Sequence, residues 1–222
     1  MKKKINSGGT PRETSNPTEK RNFATGGTPV KDICFTSIFA VLTAVFAQIA
    51  VPLPFSPLVP LSLGIVAVYS AAILLPPRCA IMSQICYLLL GAVGLPVFGG
   101  FMGGMSRLLG PTGGYLMVYP IMAAIISFAL NSNYAMQNET KKKTFIRGTV
   151  SIVFSHLLLY VGGTVWLSIS TGTTFIATLA SAVFPFIPLD IVKVVFCILV
   201  IIPLRKRFMS MGLLNLNVTR KS

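Results

Sequence analysis

Long apolar runs, separated by polar or Pro- and Gly-rich segments, dominate the chain. Six runs cover residues 33–51, 61–75, 79–95, 115–130, 145–170 and 185–204. A bilayer core of about 30 Å is crossed by about 20 helical residues, so the longer runs are long enough to span and the others are a little short. We therefore predict an all-α integral membrane protein with six transmembrane helices, five being the alternative count.

Composition supports a membrane protein with polar tails. Hydrophobic residues make up 53% of the 222 residues, charged residues make up 11%, and the mean hydropathy is +0.76. These values lie far from those of soluble domains. Residues 1–28 are polar and have almost nothing to bury, which predicts a disordered tail. The predicted organisation is therefore a tail at 1–28, a membrane domain at 29–208 and a second tail at 209–222.

Basic residues indicate how the helices are oriented. Of the 19 Lys and Arg residues, all but Arg107 and Lys193 fall in segments that a six-helix topology places on one side of the membrane. Because cytoplasmic loops carry the excess of basic residues, both termini are predicted to be cytoplasmic, in a multi-pass protein of the plasma membrane. This orientation also explains the net charge of +14 without a nucleic-acid partner.

Asp190 and Lys193 are charged residues that lie within an apolar run and not in the basic segments. They are three residues apart in the last run. Charged residues inside membrane segments are usually kept for a function. Pro188 suits the first turn of a helix, where free amides favour the Asp190 carboxylate. The carboxylate accepts hydrogen bonds and the ammonium donates them, so the pair predicts a polar floor for a ligand. The alternative is an ion pair that locks the sixth helix to a neighbour.

A Gly-rich segment at residues 99–114 contains Arg107, the one cation predicted in an outer loop. Glycine allows backbone to approach a ligand or a neighbouring helix closely. The chain has no G-x-x-x-x-G-K-[ST] motif, so it cannot hydrolyse ATP through a P-loop. If transport is driven by ATP, another subunit must supply it.

Two stretches resemble the BioY family, the substrate-binding (S) components of energy-coupling factor (ECF) biotin transporters. They are YLLLGAVGLPVFGGFMGGMSRLLGPTGGYL at residues 87–116 and PFIPLDIVK at residues 185–193, and the resemblance covers about residues 30–208. It implies six helices and a biotin site that opens to the outside. It also implies a membrane scaffold subunit and two ATP-binding subunits as partners, with the S component tilting to release the vitamin inward.

The resemblance also assigns residues to the site. It implies that Asp190 and Lys193 hold the ureido ring of biotin. The residues that match the loop framing the pocket are Thr112, Gly113, Gly114 and Tyr115. Some relatives have a polar residue at the position of Met102 and a basic one at the position of Leu116. The biotin carboxylate then needs another cation, and Arg107 is the candidate.

Two further features have a structural and a functional interpretation. Ala40 and Ala44 lie four residues apart in the first run, a spacing that permits close helix packing in lipid. They either pack within the protein or, as the resemblance suggests, form a docking face for the scaffold subunit. Trp166 is either an interfacial anchor or a wall for the apolar part of biotin.

The remaining candidate chemistry is weak. His156 is the only histidine, and we predict that it makes an interhelical contact. The four cysteines lack ligand spacing, so no metal, cofactor or disulfide is predicted. An enzyme using Asp190 as an acid or base is disfavoured because no second carboxylate lies on its side of the membrane. The predicted function is a biotin-binding S component; an S component for another small vitamin and a ligand-free scaffold are the alternatives.

Overall fold

Helices form nearly all of the described part of the fold. The computed structural model describes residues 29–53, 56–131 and 141–210. The longer helices follow the predicted apolar runs, and short helices occupy the Gly-rich segment. In chain order the elements are α1 (Pro29–Gln48), β1 (Ala50–Leu53), β2 (Ser56–Ser62), α2 (Gly64–Leu74), α3 (Pro77–Ala92), α4 (Met105–Leu109), α5 (Gly113–Met117), α6 (Tyr119–Asn131), α7 (Lys141–Thr171), α8 (Phe175–Ala182), a 3₁₀ turn (Phe184–Phe186), α9 (Ile187–Phe196), a π-helical turn (Cys197–Ile201) and α10 (Ile202–Ser210).

Four helical stretches are long and apolar enough to cross a membrane. They are Val30–Gln48, Gly113–Asn131, Lys142–Thr171 and Phe175–Arg205. Two shorter helices, α2 and α3, occupy the second and third predicted runs. The prediction of a helical membrane protein is confirmed at this level. The predicted tail at 1–28, most of the one at 209–222, and the polar segment at 132–140 lie outside the described residues.

The short helix α2 lies at the centre of the bundle. All of its residues are buried, and it packs against α1, α3, α6 and the end of the last helix. A helix that is apolar on every side is stable only when neighbours surround it. Its 11 residues therefore form the axis of the core.

The Pro-rich break after α1 forms an antiparallel ribbon, which the sequence analysis did not predict. Ala50 pairs with Ser62 and Val51 pairs with Leu61, and the register shifts between Val51 and Leu53. Proline cannot donate to a strand ladder and is found at edges and bulges. A two-stranded ribbon tolerates it because both of its strands are edges. The ribbon ends at Ser62, beside the start of α2.

One buried arginine joins the C-terminal ends of α2 and α6. Arg205 is 3% exposed. Its guanidinium donates to the carbonyl oxygens of Ile73 and Leu130 at 2.6 and 3.2 Å, and to Asn131 Oδ1 at 2.6 Å. The last carbonyls of a helix lack partners within the helix and attract cations. Arg205 thus closes the end of the bundle opposite to Asp190 and Lys193.

Replacing Arg205 with Met should destabilise the protein. The three acceptors would remain buried without their donor, which we expect to cost roughly 2 kcal/mol or more of the free energy of unfolding. The melting temperature of the purified protein in detergent is the measurement. Arg78→Met, at an exposed position, is the matched control. Equal melting temperatures for the two variants would contradict the role of Arg205.

Candidate functional site

Asp190 and Lys193 form a buried ion pair at the start of α9. Asp190 Oδ1 accepts a hydrogen bond from Lys193 Nζ at 2.9 Å, and each residue is 8% exposed. Lys193 Nζ also donates to the backbone carbonyl of Ser62 at 2.9 Å. A buried charge is tolerated only when it is paired and hydrogen-bonded. The pair therefore depends on the end of the ribbon as well as on its own helix.

The second oxygen of Asp190 faces α7. Tyr160 donates its hydroxyl proton to Oδ2 at 2.8 Å, and His156 Nε2 lies 3.5 Å from the same oxygen. The other ring nitrogen of His156 is 2.6 Å from the hydroxyl of Tyr69, on α2. The carboxylate is therefore contacted by groups from α7 and α9, and Tyr69 of α2 holds one of them, His156.

A cavity with two adjoining compartments lies beside this pair. The compartments share Ser62, Tyr115 and Tyr119, and each spans about 500 Å³ of space, part of which is open to solvent. Clefts lined by apolar side chains with a few polar groups are the usual sites of small organic ligands. The first compartment is otherwise lined by Ala47, Tyr87, Phe98, Gly99, Arg107, Thr112 and Leu116. The second is otherwise lined by Ile65, Leu159, Tyr160, Ala182, Phe186, Asp190 and Lys193.

The first compartment combines aromatic rings with groups that lack a protein partner. Tyr87 contacts Phe98 edge to face and stacks on Tyr119, with ring centroids 5.5 and 6.4 Å apart. Within the described residues, the buried hydroxyls of Tyr87 and Thr112 have no hydrogen-bond partner, and Arg107 forms no ion pair. Buried polar groups are normally satisfied, so these hydroxyls are suited to a polar ligand.

The predicted loop residues divide into two kinds. Thr112 and Tyr115 line the cavity. A Cβ at Gly113 would overlap the carbonyl group of Leu108, and one at Gly114 would overlap the side chain of Trp166. The two glycines thus allow α5 to pack against α4 and α7, and their role in the described structure is to place Thr112 and Tyr115.

Trp166 lies behind the loop and lines neither compartment. Its indole N–H donates to the carbonyl oxygen of Gly110 at 2.9 Å, and its side chain packs against Gly114. In the described structure the indole of Trp166 is therefore bound to the loop backbone, and it does not form a wall of the cavity.

Ala40 and Ala44 face the interior of the bundle. Ala40 is 1% exposed within the core, and Ala44 is partly buried against it. This position corresponds to packing within the protein, where α1 contacts α2 and α3. The lipid-facing side of α1 carries other residues, among them Ile38, Val41 and Val45.

Gln48 is a supporting residue that the sequence analysis missed. Its Oε1 accepts from the backbone N–H of Phe101 at 2.8 Å, and its Nε2 donates to the carbonyls of Pro96 and Phe98 at 3.2 Å. These bonds hold the segment that carries Phe98 and Gly99 into the cavity. The signal in the sequence was an amide side chain at the C-terminal end of an apolar helix.

The tyrosines were also missed as site residues, apart from Tyr115. The chain has six tyrosines. Those at or directly behind the cavity are Tyr69, Tyr87, Tyr115, Tyr119 and Tyr160. Tyrosine inside an apolar span could have indicated the site, because a buried hydroxyl needs a partner.

Comparison with known proteins identifies the family. The model of the BioY family matches residues 15–210, so the chain belongs to the BioY family. "Probable biotin transporter BioY" from Pyrococcus horikoshii is 36% identical over 73% of this chain and 89% of its own length. "Biotin transporter BioY" from Thermotoga maritima is 32% identical over 80% of this chain and 97% of its own length. These relatives are named as transporters, in agreement with the prediction that the chain is not an enzyme.

A solved structure shares the fold. The S-component for biotin from an ECF-type ABC transporter superposes with a TM-score of 0.70 at 26% identity, covering 80% of this chain and 92% of that chain. The described residues contain no group of three or more His, Cys, Asp or Glu side chains that could hold a metal ion.

Proposed function

We propose that this chain is the biotin-binding membrane subunit of an ECF transporter, which captures biotin outside the cell and delivers it inward. The observation that carries the proposal is the buried Asp190–Lys193 pair in the wall of a cavity lined by tyrosine and apolar side chains. The relatives named as biotin transporters support the choice of ligand.

The hydrogen-bonding capacity of the pair suits a cyclic urea. A carboxylate has about four acceptor sites, and an ammonium group has three protons. On Asp190, Lys193 and Tyr160 occupy two of the acceptor sites, and His156 faces a third. Lys193 donates two of its three protons, one to Asp190 and one to the carbonyl of Ser62. One acceptor site of Asp190 and one proton of Lys193 remain for a ligand. The ureido ring of biotin offers the matching N–H and C=O groups.

The first compartment suits the rest of the molecule. Biotin carries an apolar chain that ends in a carboxylate. Tyr87, Phe98 and Tyr119 provide apolar surface for the chain, and Arg107 lines the same compartment. The guanidinium matches a carboxylate in geometry and charge. We therefore assign the ureido ring to the second compartment and the carboxylate to Arg107.

The orientation in the membrane follows from the two ends of the bundle. We propose six membrane-crossing helices in residues 29–208, with both termini and the tails at 1–28 and 209–222 in the cytoplasm of a plasma-membrane protein. In the continuous helix α9–α10, 12 residues separate Lys193 from Arg205, which is about 18 Å at 1.5 Å per residue. The site then lies near the outer surface, and the basic residues lie inside.

Energy must come from other subunits. The chain has no P-loop, so we propose that a membrane scaffold subunit and two ATP-binding subunits complete the transporter. The name of the solved structure, which refers to an ECF-type ABC transporter, supports this assembly.

Substitution of the pair tests the ligand and the site together. Asp190→Asn and Lys193→Ala should each lower the affinity for biotin at least about 100-fold, because each removes a charged hydrogen-bond partner in a buried site. Equilibrium titration of biotin into the purified protein in detergent measures this, with Ser127→Ala, a buried hydroxyl of α6 away from the cavity, as control. A folded wild type that fails to bind biotin would reject the proposal, and titration of other ring-containing vitamins would then identify the ligand.

Arg107→Ala should lower the affinity for biotin about tenfold or more. The affinity for biotin methyl ester should change little, because the ester lacks the charge that Arg107 binds. Arg107→Lys should restore part of the biotin affinity. The same titration measures all three proteins with both ligands. An equal loss for acid and ester would show that Arg107 does not bind the carboxylate.

The proposed topology predicts which positions are labelled from each side. In a chain whose four cysteines are replaced by serine, Ser106→Cys should react with a membrane-impermeant maleimide in intact cells, whereas Arg78→Cys should react only after lysis. Both positions are exposed. The reverse labelling pattern would show that the protein has the opposite orientation. Labelling of both positions in intact cells would contradict the proposed topology.

A further inference from the structure

His156 lies behind the ligand-facing pair, between a tyrosine and the carboxylate. The residue is 7% exposed on α7, and Tyr69, on α2, is fully buried. The hydroxyl of Tyr69 is 2.6 Å from Nδ1, and Nε2 lies 3.5 Å from Asp190 Oδ2. His156 lines neither compartment of the cavity. Any effect of His156 on a ligand in this cavity must therefore pass through its neighbours Asp190 and Tyr160, which do line the cavity.

The geometry selects one tautomer of the imidazole. A neutral imidazole donates at one nitrogen and accepts at the other. If Nδ1 carried the proton, the lone pair of Nε2 would point at a negatively charged oxygen. If the Tyr69 hydroxyl donates to Nδ1, the Nε2 proton faces the carboxylate instead. Electrostatics favour the second arrangement, in which Tyr69 sets the tautomer.

The orientation of Asp190 depends on groups of this kind. The terminal torsion of an aspartate is broad, so a carboxylate turns easily unless donors hold both of its oxygens. Lys193 holds Oδ1, and Tyr160 holds Oδ2 from one side. The Nε2 proton approaches Oδ2 from α7 as well, and at 3.5 Å it acts mainly through electrostatic attraction. The ring of His156 is also fixed, edge to face, against Tyr160 at 4.5 Å.

We infer that His156 and Tyr69 are positioning residues for ligand recognition: Tyr69 holds the imidazole with Nε2–H toward Asp190 Oδ2, and the imidazole thereby helps to fix the orientation of the carboxylate, whose remaining acceptor site, on Oδ1, is left for the ligand. The inference rests on the proposed function, because it assigns that acceptor site to an N–H of the ligand. The groups that face the imidazole are Tyr69 from α2, Tyr160 from its own helix, and Asp190, with its partner Lys193, from α9.

Three variants separate positioning from packing. His156→Leu fills the space but removes both nitrogens, His156→Gln keeps an N–H donor, and Tyr69→Phe removes only the hydroxyl. In titrations with biotin, we expect His156→Leu to bind about tenfold more weakly or worse and Tyr69→Phe about threefold to tenfold more weakly. His156→Gln should recover part of the loss. Ser127→Ala is the matched control and should bind like the wild type.

The affinity for a ligand without a ureido N–H distinguishes positioning of Asp190 from simple packing by His156. Biotin methylated at both ureido nitrogens has no ureido N–H to donate to Asp190, so the difference in affinity between wild type and His156→Leu should shrink for this ligand. Equal affinity of wild type and His156→Leu for biotin would overturn the inference. An equal loss of affinity in His156→Leu and His156→Gln, seen with both ligands, would also overturn the inference, because it would show that His156 acts through packing alone.

The two proposals fail separately in this experiment. If the folded wild type does not bind biotin, the proposed function fails. If the wild type binds biotin and loses affinity in Asp190→Asn but not in His156→Leu, the function stands and only the role of His156 is rejected.

Discussion

The buried carboxylate of Asp190 is the constraint that organises the half of the fold that contains the cavity. A charge of this kind is stable in an apolar bundle only if donors surround it, and no single helix can supply them. Lys193 comes from the same helix, Tyr160 and His156 come from α7, and Tyr69 holds His156 from α2. Lys193 in turn needs the carbonyl of Ser62 at the end of the ribbon. The ligand site is thus also the place where these elements are joined.

The opposite end of the bundle has a complementary arrangement. Arg205 has no carboxylate partner among its described contacts and binds carbonyl and amide oxygens at the ends of α2 and α6. Both ends therefore use one buried charge to connect helices, but with different consequences. Arg205 uses its donors within the protein, whereas Asp190 and Lys193 keep capacity for a ligand.

Glycines let the loop between α3 and α6 fold tightly against the helices. At Gly113 a side chain would collide with the backbone of Leu108, and at Gly91 it would collide with the ring of Phe98. Close packing here brings Thr112 and Tyr115 to the cavity from one side and Phe98 from the other. Gln48 holds the same segment by its backbone. The walls of the site are therefore set by backbone approach as much as by side-chain chemistry.

The amino-acid sequence predicts the membrane class, the helical segments and the charged pair, because hydropathy and isolated charges are local properties of the chain. It also identified the family through two contiguous motifs. Four features become visible only in the folded chain: the Pro-rich break is a ribbon, Ala40 faces the core, Trp166 supports the loop, and His156 lies next to Asp190. Those outcomes depend on which helices become neighbours and on how their faces are turned. Contacts between residues far apart in the chain, such as Lys193 with Ser62, leave no periodic pattern in the sequence.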